Sequence, residues 1–145
     1  MAALTKAFEA YERPGLIVSY ALSNVKVYKG AIVAVNATGH LVAADHATAS
    51  LSLVGVAAET VDNSAGSPGD KRLNVTKSGS FVMKANGFTP AQADIGVAVY
   101  ANTDWEVQVS TVGLTNIYQA GTIIAIETTS EGSAGVRVRI DNHTV

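Results

Sequence analysis

The sequence predicts an all-β protein: a compact β-sandwich or barrel of about ten short strands, preceded by an N-terminal arm. Three observations carry this. Apolar and polar residues alternate in stretch after stretch, as in VKVYKGAIVAV from Val25 and WEVQV from Trp105. That period of two sends one side of each strand into a core. Clusters of Asn, Asp, Gly and Ser separate the stretches, and these residues reverse a chain. Apolar residues at helical spacing are confined to the first 13 positions.

Leu4, Phe8 and Tyr11 form that short helical stripe, and Pro14-Gly15 stops it. A helix of this length is marginal in water unless a partner surface orders it. It reads either as a frayed terminus or as an arm docked on a neighbouring chain. Leu16 to Tyr20 follows as an apolar strand. Residues 1–20 are therefore assigned to the arm and 21–145 to the β domain. Leu4, Phe8, Tyr11, Leu16, Ile17, Val18 and Tyr20 are the candidate partner contacts, because so many large apolar side chains left in water would make a sticky terminus.

The central hairpin runs from Val25 to Ala44. Val25, Val27, Ala31, Val33 and Val35 share one parity, which predicts a half-buried strand, and Asn36-Ala37-Thr38-Gly39 supplies the turn. Leu51 to Val56 is a further strand, and residues 62–70 form the longest polar loop. Lys71 to Thr76 and Ser80 to Lys84 flank Ser78-Gly79 and read as a second hairpin, with Phe81 and Met83 facing one way. Thr89 and Pro90 suit the N-cap and first position of one helical turn. Ile123 to Ile126 is continuously apolar, which predicts a strand covered on both faces. Val136, Val138 and Ile140 alternate with Arg137 and Arg139 in a closing strand.

Parts of this pattern occur twice. Gly30 and Gly96 stand 66 residues apart, as do Val33 and Val99, Asn36 and Asn102, and Gly55 and Gly121. The offset suggests a pseudo-repeat of residues 26–76 and 92–141, in which the two first glycines share a bend. Turn and strand chemistry alone would also yield two similar units.

Composition bounds function. With 48% hydrophobic but only 6% aromatic residues, the chain suits thin, tightly packed sheets rather than a deep ring-lined pocket. Charged residues are 15%, below the roughly 25% of typical domains, which hints at surface covered by other subunits. A net charge of −2 disfavours a nucleic-acid binder. The absence of cysteine rules out disulfides and thiol chemistry. The first residues lack the apolar core of a signal peptide, and no run approaches the ~20 apolar residues of a membrane span. These features lead to the expectation of a soluble chain made in the cytoplasm.

Candidate chemistry is sparse. His40, Asp45 and His46 are the nearest approach to a metal constellation, yet they lie at a turn and in a loop of small residues. Asp104 and Glu106 are two apart, but an acid/base pair needs environments that separate the two pKa values. No glycine pattern makes a phosphate loop. Three sequons, at Asn36, Asn74 and Asn142, have no secretory signal to give them meaning. Lys71, Arg72, Arg137 and Arg139 line up as a basic ladder if the two units pair. No catalytic residue, cofactor or metal is assigned, and the chain is read as a non-enzyme.

The order VKVYKGAIVAVNATGHLVAA, VGVAAETVDNSAGSPGDKRLNV, ADIGVAVYANTDWEVQV and AGTIIAIETT with VRVRID resembles the capsid decoration, or cement, proteins of tailed bacteriophages over residues 25 to 141. Its most specific piece carries Gly55, Glu59, Val61, Asp62, Asn63, Gly66 and Gly69. The resemblance implies a β domain on the outside of a virion capsid, bound to the major capsid protein. It also implies self-association, commonly as a homotrimer, without nucleic-acid or membrane contact. The helical stripe departs from an extended arm. A phage tail or baseplate protein and a small β-barrel ligand-binding module are the other classes the residues allow.

Overall fold

A computed structural model describes residues 5–7 and 15–141 of the chain; the stripe of Leu4, Phe8 and Tyr11 and the sequon at Asn142 lie outside them. The chain is all-β. The first seven strands are β1 (Ile17–Ala21), β2 (Lys26–Val27), β3 (Ile32–Val35), β4 (Leu41–Ala43), β5 (Ser52–Ala57), β6 (Val61–Asp62) and β7 (Arg72–Thr76). There follow β8 (Ser80–Ala85), a 3-10 turn at Gln92–Asp94, β9 (Ala98–Ala101), β10 (Glu106–Gln108), β11 (Gln119–Thr128) and β12 (Ala134–Arg139). No helix among the described residues is long and apolar enough to cross a membrane.

These strands build one topology twice. The first sheet has the order β1-β7-β5-β3-β4, and the second is a closed barrel in which β8-β12-β11-β9-β10 returns to β8. β1 therefore corresponds to β8, β3 to β9, β4 to β10, β5 to β11 and β7 to β12. Registers agree in detail: Ile17 faces Thr76 as Ser80 faces Arg139, and Val56 faces Thr76 as Thr122 faces Arg139. The small β2-β6 ribbon belongs to the first module alone.

Glycines mark the matching positions. Gly30 and Gly96 both have φ +91°, a left-handed value that L side chains resist. Gly30 donates to the Ala57 carbonyl at 2.9 Å and Gly96 to that of Ile123 at 2.8 Å. A Cβ on Gly55 would run into the Thr76 carbonyl oxygen and lie 2.8 Å from Val75 Cγ1. One on Gly121 would meet the Arg139 oxygen and lie 2.7 Å from Val138 Cγ1. In each module the last strand crosses β5 or β11 so closely that only hydrogen fits.

Closure differs. In the second module β10 pairs with β8 in parallel, Glu106 with Lys84 and Val107 with Ala85. In the first, β4 reaches β1 through the single parallel bridge Leu22–Leu41. The core differs as well. Val33, Leu41, Val54, Leu73 and Val75 fill the first module's interior. Ile32, Ala34, Leu53 and Val56, on the opposite side of β3 and β5, join a cluster with Val99, Val107, Ile123, Val136 and Val138 of the second barrel. One face of the first sheet thus covers the second module.

Several expectations are corrected here. β3 is buried on both faces rather than half-buried, because the second module packs on the side opposite its own core. Ser78-Gly79 is a linker and not a hairpin turn: β7 pairs with β1 and β5, whereas β8 pairs with β12 and β10. Ile123 is buried but Ile126 is 39% exposed, since a register shift between Ile123 and Ala125 turns the strand outward. The helical turn starts later than Thr89; its N-cap is Ala91, whose N–H donates to Asp94 Oδ2 at 2.8 Å. The basic ladder does not form. Lys71 donates to the Asp62 carbonyl, Arg72 to Ser19, and Arg137 pairs with Glu127.

Candidate functional site

Of the candidate partner contacts, Leu16 and Ile17 are exposed, at 67% and 57%. Ile17, Val18 and Tyr20 stand in β1 opposite Thr76, Val75 and Leu73, so they belong to the first sheet. Tyr20 packs on that module's core. Its hydroxyl accepts from Lys77 Nζ at 2.7 Å, and the same ammonium lies 5.0 Å from the ring centroid. The residues assigned to the arm therefore divide: Val18 and Tyr20 help hold a strand in place, and Leu16 and Ile17 present apolar surface where that strand begins.

His40, Asp45 and His46 do not converge, and among the described residues no group of three His, Asp or Glu side chains could hold a metal. His40 Nδ1 lies 3.3 Å from Thr38 Oγ1. Asp45 Oδ1 accepts the Ala47 N–H. His46 belongs to the seam between modules, where its Nδ1 accepts the Thr115 N–H at 3.1 Å and its carbonyl accepts from Asn116.

Asp104 and Glu106 flank the β9–β10 turn. Glu106 accepts from Thr103 Oγ1 at 3.1 Å and meets Lys84 at 3.5 Å. Burial, with a smaller contribution from the nearby charges of Glu106 and Asp45, raises the Asp104 carboxyl above its ordinary value, against the pull of its own backbone N–H. The Asp104 carbonyl accepts the Ile32 N–H at 2.6 Å, so this turn is a fastening point of the seam.

An open groove of about 910 Å³ runs beside that turn, lined by Tyr28, Lys29, Val82, Asp104, Trp105 and Glu131 among others. Tyr28 and Trp105 each carry a lysine ammonium over the ring, Lys26 at 4.9 Å and Lys84 at 5.0 Å. Sequence reading placed both aromatics in alternating strands and did not bring them together. Nothing in the local sequence links Lys26-Val27-Tyr28 to Trp105-Glu106, because their meeting depends on how the modules pack.

The residues that carry the family resemblance build turns. Asn63 is buried, and its Nδ2 donates to the carbonyls of Leu22, Ser23 and Ser67 at 3.4, 3.0 and 2.9 Å. Gly66 leaves room for the Asn63 side chain. Asp62 Oδ1 accepts from both the N–H and the hydroxyl of Ser64, which with Lys26 and Lys71 nearby holds its carboxyl below its ordinary value. Glu59 Oε1 accepts the Asn74 N–H at 3.1 Å. These groups pin the long 62–70 loop across one end of the first module. Neither a family model, nor a curated protein, nor a solved structure matches this chain.

Proposed function

We propose that this chain is a structural virion protein that binds the outer surface of a tailed-phage capsid and stabilises the joints between major capsid protein subunits, acting as a homotrimer. The observation that carries the reading is the ordered set Gly55, Glu59, Asp62, Asn63 and Gly66, at a strand crossing and around the 62–70 loop, by which the sequence resembles head decoration proteins. Exposed Leu16 and Ile17, at the start of β1 in a module whose core is already filled, add apolar surface suited to a partner chain.

The mechanism follows from linkage. A ligand of the closed shell must leave before the joint beneath it opens, so its binding free energy adds to shell stability, by about 2.7 kcal/mol per site at a hundredfold excess over Kd. An oligomer held at several points leaves only when every contact releases, which multiplies modest individual affinities.

Co-sedimentation with undecorated heads tests this. The full chain pellets with heads, and the chain lacking residues 2–15 remains folded yet pellets several-fold less. Failure of the full chain to bind any head rejects the reading. Binding to tails in place of heads makes the protein a tail or baseplate component. A ligand-binding module is the second reading, favoured by the Tyr28–Trp105 groove. Trp105 is the sole tryptophan, so its fluorescence reports directly on glycan or peptide entering that groove.

A further inference from the structure

The seam between modules is one-sided. From the first module, His46, Thr48 and Leu51 reach the second: His46 to Thr115 and Asn116, Thr48 and Leu51 to the Tyr118 hydroxyl at 2.6 and 3.2 Å. The Ile32 N–H and the His46 N–H end on the Asp104 and Asn102 carbonyls. The receiving rim is thus Asn102, Asp104, Thr115, Asn116 and Tyr118. Because the modules repeat, each group has a counterpart 66 positions away. Val112, Leu114 and Ile117 stand where His46, Thr48 and Leu51 stand, and Ala98 where Ile32 does. Asn36, Thr38, Ala49, Ser50 and Ser52 hold the rim positions in the first module. Among the described residues no hydrogen bond joins these two counterpart sets to each other, so the contact is heterologous and leaves one face and one rim over.

Both remainders are open. Val112 is 84% exposed and Ile117 58%, and Thr38, Ala49, Ser50 and Ser52 are all exposed. We propose that the Val112–Leu114–Ile117 face of one chain docks on the Thr38–Ala49–Ser52 rim of a second copy, continuing the seam head to tail from chain to chain. The occupant is a second copy because, within the chain, the surface already seated on this kind of face is the rim of the other, homologously folded module. The chemistry agrees. The face has exchanged the His46 ring, whose Nδ1 accepts the Thr115 N–H, for apolar Val112, and the rim it meets carries no charge to be stranded. Association then rests on removing Val112 and Ile117 from water. A head-to-tail contact closes into a ring when its rotation permits.

The proposal rests on the repeated seam and not on capsid binding; heads decorated by a chain that stays monomeric would remove the first, together with the homotrimer, and leave capsid binding standing. The test is the mass of the full chain by light scattering and native mass spectrometry, with two double variants. Val112→Asp with Ile117→Asp breaks the face, and Ala49→Arg with Ser52→Arg breaks the rim. The unmodified chain is expected to assemble, and each variant alone to fall to monomer. A mixture of the two variants has one sound face and one sound rim, so it forms a heterodimer and nothing larger. That heterodimer also shows both variants folded, and the milder Val112→Ser replaces the first if it unfolds. A monomeric parent, a rim variant that assembles like the parent, or a mixture that stays monomeric overturns the proposal.

Discussion

The two modules share an interior and differ in what lies outside it. Val33 and Val99, Leu41 and Val107, Leu73 and Val136, and Val75 and Val138 are buried counterparts. On the outer side of the same strands Ile32, Leu53 and Val56 are buried, whereas Ala98 and Thr122 are half-buried and Gln119 is exposed, with Gln119 and Thr122 each engaged in further interactions. A β-barrel needs its inner residues to fold, and any apolar residue of suitable size serves there. The outer side is free to specialise. In the first module it became the cover of the second; in the second it became a more polar surface with an apolar loop edge.

The sharpest way to break this comparison is at the close strand crossings. Gly55→Ala and Gly121→Ala are each expected to cost about 3 kcal/mol, because a Cβ drives a backbone carbonyl aside. Gly55→Ala costs more, since its φ of +147° is also hostile to alanine. Urea denaturation midpoints read both. A difference of the opposite sign would mean that the crossings are not equivalent.

Next comes the outer face. Ile32→Ala removes a buried side chain and should cost about 2–3 kcal/mol. The reverse change at the counterpart, Ala98→Ile, should alter stability by less than about 0.5 kcal/mol. Equal effects in the same measurement would show that the two outer faces are covered alike.

A pH series separates the two turns. The Asp104 carboxyl is raised in the folded state by burial, so the native state holds its proton more tightly than the unfolded chain. Stability from this group is then greatest below the unfolded carboxylate value and declines as pH rises through the folded one. Asp104→Asn should therefore raise the denaturation midpoint at pH 7 and lose its advantage in acid. Thr38→Asn, at the matching turn, should show no such trend. The smallest effect belongs to the exposed Arg137–Glu127 pair: Arg137→Ala should cost less than about 1 kcal/mol and fade with added salt.

Much of this was legible in the residues, and what was not has a physical reason. Period two marked the strands, and the spacing of Gly30 with Gly96 and Gly55 with Gly121 marked the sites where a side chain cannot be placed. Local pattern does not report which strand is a neighbour. Ser78-Gly79 has hairpin chemistry but joins two modules, so β7 and β8 were wrongly paired. Loop length hid the outer strands of the repeat: Ile32 and Ala98 stand 66 residues apart, yet Ile17 and Ser80 only 63. Ile123 to Ile126 read as doubly covered because a bulge has no signature in an unbroken apolar run. The groove between Tyr28 and Trp105, and the seam residues His46 and Tyr118, depend on how one module meets the other, which no single stretch encodes.

Each module begins and ends at one place. Leu16 accepts the Lys77 N–H at 2.8 Å, and Gly79 accepts that of Ile140 at 3.0 Å, so first and last strands lie side by side with their free ends together. Tension applied between those ends pulls across the ladder and loads its hydrogen bonds one after another, as a zipper opens, because antiparallel bonds run perpendicular to the strands. The chain is therefore mechanically soft when drawn by its termini, and opens from β1–β7 or β8–β12. Pushed or sheared through the sides of its barrels, it must strain many bonds at once. A protein of this build bears load well through its flanks and poorly along its chain.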